Sequence, residues 1–125
     1  MSLFITFNND VSINGELSVG KRSKAGITAI DFSTNITIDL SESDVHSIGV
    51  ISNDISIGVS SIENGQSGII TFTVDSGGTH TIDLSSDFTA YDDANEPDAS
   101  TAYITNHIWY AAIDGSIYYQ TQYIS

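Results

Sequence analysis

The sequence predicts an all-β protein, an antiparallel β-sandwich or jelly-roll-like single domain. Runs of alternating apolar and polar residues recur along the chain, and turn signals separate them about every 8–12 residues. The composition is rich in Ile, Thr, Ser, Asp and Gly and contains few Leu, Lys, Glu or Arg residues, which favours strands and turns over helices. A length of 125 residues is that of one domain.

The clearest pair of alternating runs is Ile70–Val74 and Thr79–Leu84. Asp75–Gly78, with the sequence Asp-Ser-Gly-Gly, separates them. Consecutive glycines accept positive φ and Asp hydrogen-bonds to turn backbone, so this segment predicts a tight antiparallel hairpin. The side chains expected on one face are Ile70, Phe72 and Val74 in the first run and His80, Ile82 and Leu84 in the second.

The remaining runs predict further short strands on either side of this hairpin. Asn14-Gly15 and Asp114-Gly115 are type I′ hairpin signals, and residues 85–101 are the longest stretch without a strand pattern. The domain itself is expected to span residues 27–125, after an N-terminal strand, hairpin and loop in residues 1–26. The other predicted strands are Leu3–Phe7, Val11–Ile13, Glu16–Val19, Ile27–Phe32, Asn35–Leu40, Val45–Ile51, Ile55–Val59, Ala102–Ala112 and Ser116–Ile124.

The charge balance excludes several classes of partner. The formal net charge is −13, and the only basic side chains are Lys21, Arg22 and Lys24. A phosphate backbone needs many cations, so nucleic-acid binding is not expected, and an anionic membrane surface would repel the chain. No apolar run approaches the roughly 20 residues that span a bilayer, the N-terminus lacks secretory-signal features, and there is no cysteine.

An ordered set of weak motifs resembles a β-domain of tailed-bacteriophage virion proteins. The motifs, in chain order, are Asp10–Val19, Asn35–Leu40, Asn53–Ile57, the predicted hairpin Gly68–Leu84, a loop ending at Pro97, and Asp114–Tyr119. The resemblance implies a β-sandwich that assembles as a homotrimer on the virion, as a capsid decoration, head fibre or tail-fibre-type subunit. It implies contacts with other capsid or tail proteins and a role in host-surface attachment, with no catalysis and no cofactor.

The C-terminal hairpin is the most aromatic part of the chain. Adjacent residues on a strand point to opposite faces, so one member of Trp109–Tyr110 and one of Tyr118–Tyr119 is expected in the core, and its neighbour is exposed or covered by another subunit. Cross-strand pairing within one sheet would account for these aromatics equally well. The candidate interface or ligand-binding residues are Tyr91, Trp109, Tyr110, Tyr118, Tyr119 and Tyr123.

Two further hypotheses concern binding. A carbohydrate-binding module or adhesin domain would use exposed aromatics such as Trp109 and Tyr91 on a host-surface glycan. The basic patch of Lys21, Arg22 and Lys24 would dock on an acidic patch of a neighbouring subunit, although such a patch is more often a solvated loop.

Metal and catalytic sites find little support in the residue pattern. The predicted loop in residues 85–101 is acidic and holds clustered oxygen ligands of the kind that Ca²⁺ prefers, but their spacing is not that of an EF-hand. A zinc site would require His46, His80 and His107 to converge from three predicted strands. No nucleophile motif is present, so we expect a protein that is not an enzyme and has no metal. The acidic loop residues in question are Asp92, Asp93, Asn95, Glu96 and Asp98.

Overall fold

The computed structural model describes residues 26–91 and 95–125, and over these ranges it contains strands and no helix. The all-β prediction is therefore confirmed for this part of the chain. The predicted N-terminal strand and hairpins, the basic patch of Lys21, Arg22 and Lys24, and the acidic residues Asp92 and Asp93 lie outside the described residues. The strands are β1 (Ile27–Ala29), β2 (Asn35–Asp39), β3 (Val45–Ile51), β4 (Ile55–Ser60), β5 (Ser67–Val74), β6 (Ile82–Leu84), β7 (Phe88–Ala90), β8 (Thr105–Ile113) and β9 (Ser116–Ile124).

The strands form two sheets, and the first six strands alternate between them. Sheet A has six strands in the order β1-β3-β5-β8-β9-β7, and sheet B has three in the order β2-β4-β6. The strands β1, β3 and β5 are parallel to one another, as are β2, β4 and β6. The expectation of a wholly antiparallel fold is therefore wrong, because only the β5–β8 and β8–β9 pairs are antiparallel.

This alternation makes the chain wind around one core and return to the same sheet on each turn. Ile27 pairs with Val45, 18 positions later, and Ile36 pairs with Ile57, 21 positions later. Ile57 pairs in turn with Leu84, so Ile36, Ile57 and Leu84 form an aligned stack across sheet B. Parallel strands require such a crossover between them, and here each crossover contains a strand of the opposite sheet.

Both sheets contribute to a single hydrophobic cluster. Sheet B supplies side chains such as Ile38 and Ile57, and sheet A supplies Ile70, Phe72 and Ile108, all of them buried. The period of two in each strand sends alternate side chains to this shared core. Ile70, Phe72 and Val74, which were expected on one face of their strand, are all buried, and so are the alternating residues Ile36, Ile38 and Leu40 of the Asn35–Leu40 run.

The predicted hairpin around Asp75–Gly78 is wrong. β5 pairs with β3 and β8, whereas β6 belongs to sheet B and pairs with β4. A turn does form here, since Asp75 Oδ1 accepts hydrogen bonds from the backbone N–H groups of Gly77 and Gly78 at 3.2 and 3.1 Å. It directs the chain across the core to sheet B instead of back along β5.

The C-terminal hairpin predicted at Asp114-Gly115 is confirmed. β8 and β9 pair antiparallel from Ile113–Ser116 to Thr105–Ile124, and Asp114 and Gly115 have φ of 52° and 79°, as the two-residue turn requires. One strand was not predicted, because β7 lies within the acidic stretch that showed no strand pattern. It pairs parallel with β9 at the edge of sheet A.

Candidate binding face

The outward side of sheet A is uncharged. Its six strands contain no Asp, Glu, Lys or Arg, although the chain has a formal net charge of −13. Sheet B differs, since its outward positions include Asp39 in β2 and Asp83 in β6, beside Asn, Thr, Ser and Gly residues of β2 and β4. We call the outward side of sheet A the neutral face.

Aliphatic side chains occupy the β1, β3 and β5 side of the neutral face. Ile27 pairs with Val45 and Val45 pairs with Ile69, which places the three side chains in one row across the sheet. Val50 lies on the same side beyond a break in the β3–β5 register. Ile27 is 72% exposed and Val50 is 59% exposed. We call Ile27, Val45, Val50 and Ile69 the aliphatic half.

Aromatic side chains occupy the β8 and β9 side of the neutral face. Trp109 pairs with Ile69 and so extends the aliphatic row, and it is 43% exposed. Tyr118 lies against Tyr91, with ring centroids 5.8 Å apart. We call Trp109, Tyr118 and Tyr91 the aromatic half.

The two adjacent aromatic pairs divide between the surface and the core, as their alternation predicts. Trp109 faces outward while Tyr110 is buried, and Tyr118 is half-buried on the neutral face while Tyr119 is buried. Tyr110 and Tyr119 are core residues of this chain, so only their neighbours are presented at its surface.

The two core tyrosines have polar partners that fix their position. The Tyr110 hydroxyl lies 3.4 Å from Nε2 of the buried His46, and burial, helped by the nearby Asp44 carboxylate, raises the pKa of Tyr110 to about 12. The Tyr119 hydroxyl donates to Glu96 Oε2 at 2.6 Å, and burial followed by this acceptor raises the pKa of Tyr119 well above its ordinary value. Both hydroxyl groups are therefore protonated at physiological pH.

The loop before β8 covers the core side of the β8–β9 hairpin. The buried Asn106 side chain accepts from the Asp98 N–H at 2.8 Å and donates to the Asp98 carbonyl at 2.7 Å. The Tyr123 hydroxyl donates to the Glu96 carbonyl. Together with the Tyr119–Glu96 bond, these contacts hold the segment from Glu96 to Asp98 against β8 and β9.

A recess opens where this segment meets the aromatic half. It is an open groove with a volume of about 440 Å³. Trp109 and Gln120 are directly paired across β8 and β9, and Gln122 is the next outward residue of β9. The side chains that line the recess are Asn95, Trp109, Gln120, Thr121, Gln122 and Tyr123. We call it the Trp109 recess.

The proposed metal ligands do not form a cluster in the part of the chain that the structure describes. His46 is buried in β3, His107 lies on the outward side of β8, and His80 precedes β6 with its Nε2 2.9 Å from Asp75 Oδ1. Asp98 uses its carboxylate to accept bonds from Ser100 and Thr101. Over residues 26–91 and 95–125, no three His, Asp or Glu side chains are grouped as metal ligands would be.

The sequence patterns selected Trp109 and Tyr123 for binding and Asn95 only as a possible Ca²⁺ ligand, and they missed Gln120 and Gln122. The signal was available for Gln120 and Gln122, because the Asp114-Gly115 turn fixes the hairpin register and pairs Trp109 with Gln120. Asn95 had no such signal, since its place depends on how the loop folds over the hairpin.

Comparison with known proteins adds no relative. No family model matches the chain, and no curated protein and no solved structure matches it. Within the described ranges, no helix has the length and apolar character needed to cross a membrane.

Proposed function

We propose that this protein is a non-enzymatic structural subunit of a tailed-bacteriophage virion that self-associates, as a homotrimer, through the aliphatic half of its neutral face. The observation that carries the self-association is the absence of charged residues from the strands of sheet A in a chain of net charge −13. In this arrangement the two sheets are the layers of a sandwich, and the outward side of sheet A faces the neighbouring subunits.

Electrostatics favours this face over the others. Copies that approach through acidic surfaces repel one another, and this repulsion is least where neither partner carries charge. Ile27 and Val50 also leave apolar area in water. Burying a side chain of this kind contributes about 1.5–3 kcal/mol at most, and in a trimer each contact occurs three times.

The virion location is supported by the ordered motifs. Asn35–Leu40 includes β2, Asn53–Ile57 leads into β4, and Asp114–Tyr119 forms the turn and start of β9. As a capsid decoration, head fibre or tail-fibre-type subunit, the trimer would bind other capsid or tail proteins on the particle.

The test is the solution mass of the full chain, measured by light scattering after size exclusion at two concentrations. We expect a mass near 40 kDa, three times the 13.4 kDa of the chain. Val50→Asp places a carboxylate on the aliphatic half and should give a monomer with an unchanged circular-dichroism spectrum. Thr37→Asp, on the outward side of β2, is the matched control and should remain trimeric. A monomeric wild-type chain, or a trimeric Val50→Asp variant, would contradict the proposed interface.

A further inference from the structure

The Trp109 recess combines a flat aromatic surface with several free amides. Trp109 is 43% exposed, and the side chains of Asn95, Gln120 and Gln122 are exposed beside it. No hydrogen bond joins these three amides to any other described residue. Among the described residues, their donors and acceptors are therefore left available to a ligand beside the indole ring.

We propose that the Trp109 recess binds a neutral saccharide. One face of a pyranose ring presents C–H groups, which pack on an aromatic ring, while its hydroxyl groups both donate and accept hydrogen bonds. Each carboxamide has two N–H donors and a carbonyl acceptor, so it matches a hydroxyl in either sense. This site is separate from the proposed self-association interface, because none of the residues that line the recess belongs to the aliphatic half.

The charge of the molecule restricts the ligand class. None of the described residues that line the recess is charged, and none of the residues that the structure describes is Lys or Arg. A sialic or uronic acid would bring a carboxylate to an acidic protein with no cation beside it among the described residues, and the negative potential of the chain would oppose its approach. A neutral sugar avoids this repulsion.

The recess is held in shape before any ligand arrives. The hydroxyl groups of Tyr119 and Tyr123 donate to the side chain and the backbone carbonyl of Glu96, the residue next to Asn95. Gln120 and Gln122 stand on a strand paired to β8 along its whole length. Such preorganisation reduces the ordering cost of binding.

The chain provides its own reporter for the experiment, since Trp109 is its only tryptophan. The full-length protein is titrated with maltotriose, cellotriose, chitotriose and lactose while the tryptophan emission is recorded, and calorimetry gives the affinity. We expect a saturable shift of the emission to shorter wavelength with at least one of these sugars and no saturable change with sialyllactose. No saturation with any of the four neutral sugars, or tighter binding of sialyllactose, would overturn the proposal.

Variants that retain Trp109 as the fluorescent reporter test which residues bind the sugar. Gln120→Ala and Gln122→Ala should each weaken binding roughly three- to tenfold, the loss expected for one hydrogen bond. Tyr103→Ala removes an aromatic residue that is 69% exposed and does not line the recess, so its affinity should equal that of the wild type. Val50→Asp should also bind normally, which separates this site from the self-association interface. Unchanged affinity in both Gln variants would overturn the assignment.

Discussion

Two turns of similar sequence lead to different folds in this chain. Asp75–Gly78 and Asp114-Gly115 both place Asp and Gly between alternating runs, and both predict hairpins. The second closes the β8–β9 hairpin, while the first carries the chain from sheet A to sheet B. The difference shows that turn chemistry specifies the local backbone and does not specify which strand the chain joins next.

The cause of the difference lies beyond the turns themselves. Both edges of β5 are occupied, by β3 on one side and β8 on the other, so a strand returning from Asp75–Gly78 has no free edge to join. The N–H groups of Thr79 and His80 instead donate to the carbonyls of Ser100 and Ala99. The β8 strand offers a free edge to β9, and the hairpin forms there.

Of the substitutions that distinguish the two turns, Gly78→Ala is expected to lower the free energy of unfolding most. Gly78 has φ of 60°, and an added Cβ would lie 2.7 Å from the Ser100 carbonyl oxygen. The left-handed conformation costs a non-glycine residue roughly 1–2 kcal/mol, and the clash with backbone adds a cost of similar size. We expect the free energy of unfolding, measured by urea titration, to fall by about 3 kcal/mol.

The neighbouring glycine provides the matched control for this substitution. Gly77 lies outside the left-handed region, and its added Cβ would make only ordinary contact, at 3.5 Å, with Asp75 Oδ1. Gly77→Ala should therefore leave the stability within about 0.5 kcal/mol of the wild type. Similar losses of stability in the two variants would mean that the close contact of Gly78 with the Ser100 carbonyl does not stabilise the passage of the chain from sheet A to sheet B.

Gly115→Ala should have a smaller effect than Gly78→Ala. Gly115 has φ of 79°, but an added Cβ would meet no atom within 4 Å, so only the backbone strain remains. We expect a loss of about 1 kcal/mol in the same urea titration. A loss of stability as large as that of Gly78→Ala would show that the Asp114-Gly115 turn tolerates an added Cβ no better than the Asp75–Gly78 turn does.

The sequence predicts the strands of this protein better than their partners. The bounds of β3 and β9 were predicted correctly, and the inward faces of β2 and β5 follow from their period of two. Which strands pair is a property of the whole chain, because any alternating strand can bury the same face beside several neighbours. The parallel winding therefore could not be deduced from local patterns. Of the two turns that were expected to close hairpins within the described residues, only Asp114-Gly115 does so.

The same limit applies to the candidate site. Alternation predicts that one of Trp109 and Tyr110 faces outward without deciding which, and the pairing of Trp109 with Gln120 follows from the hairpin turn. Other contacts join residues that no sequence periodicity connects. Buried His46 contacts Tyr110, and the Asn106 side chain makes two hydrogen bonds to the backbone of Asp98. They depend on how the loop and the crossover fold over the sheet.

The smallest effect concerns the charge of Asp75 in the crossover turn. The hydrogen bond from His80, with those from Gly77 and Gly78, lowers the pKa of Asp75 below its ordinary value of 3.8. The folded state therefore favours the ionised carboxylate, and this contribution is present above about pH 4 and is lost as the pH falls through the lowered value.

Asp75→Asn keeps an oxygen acceptor for the two glycine N–H groups but removes the charge. It should be less stable than the wild type at pH 7, and the difference should shrink when both are unfolded in urea at pH 3. Ser76→Ala, at the exposed tip of the same turn, should show no such pH dependence. An equal difference between wild type and Asp75→Asn at the two pH values would mean that neutral hydrogen bonds alone hold the turn, like the bond from the Gly115 N–H to Asn64 Oδ1 at the Asp114-Gly115 turn.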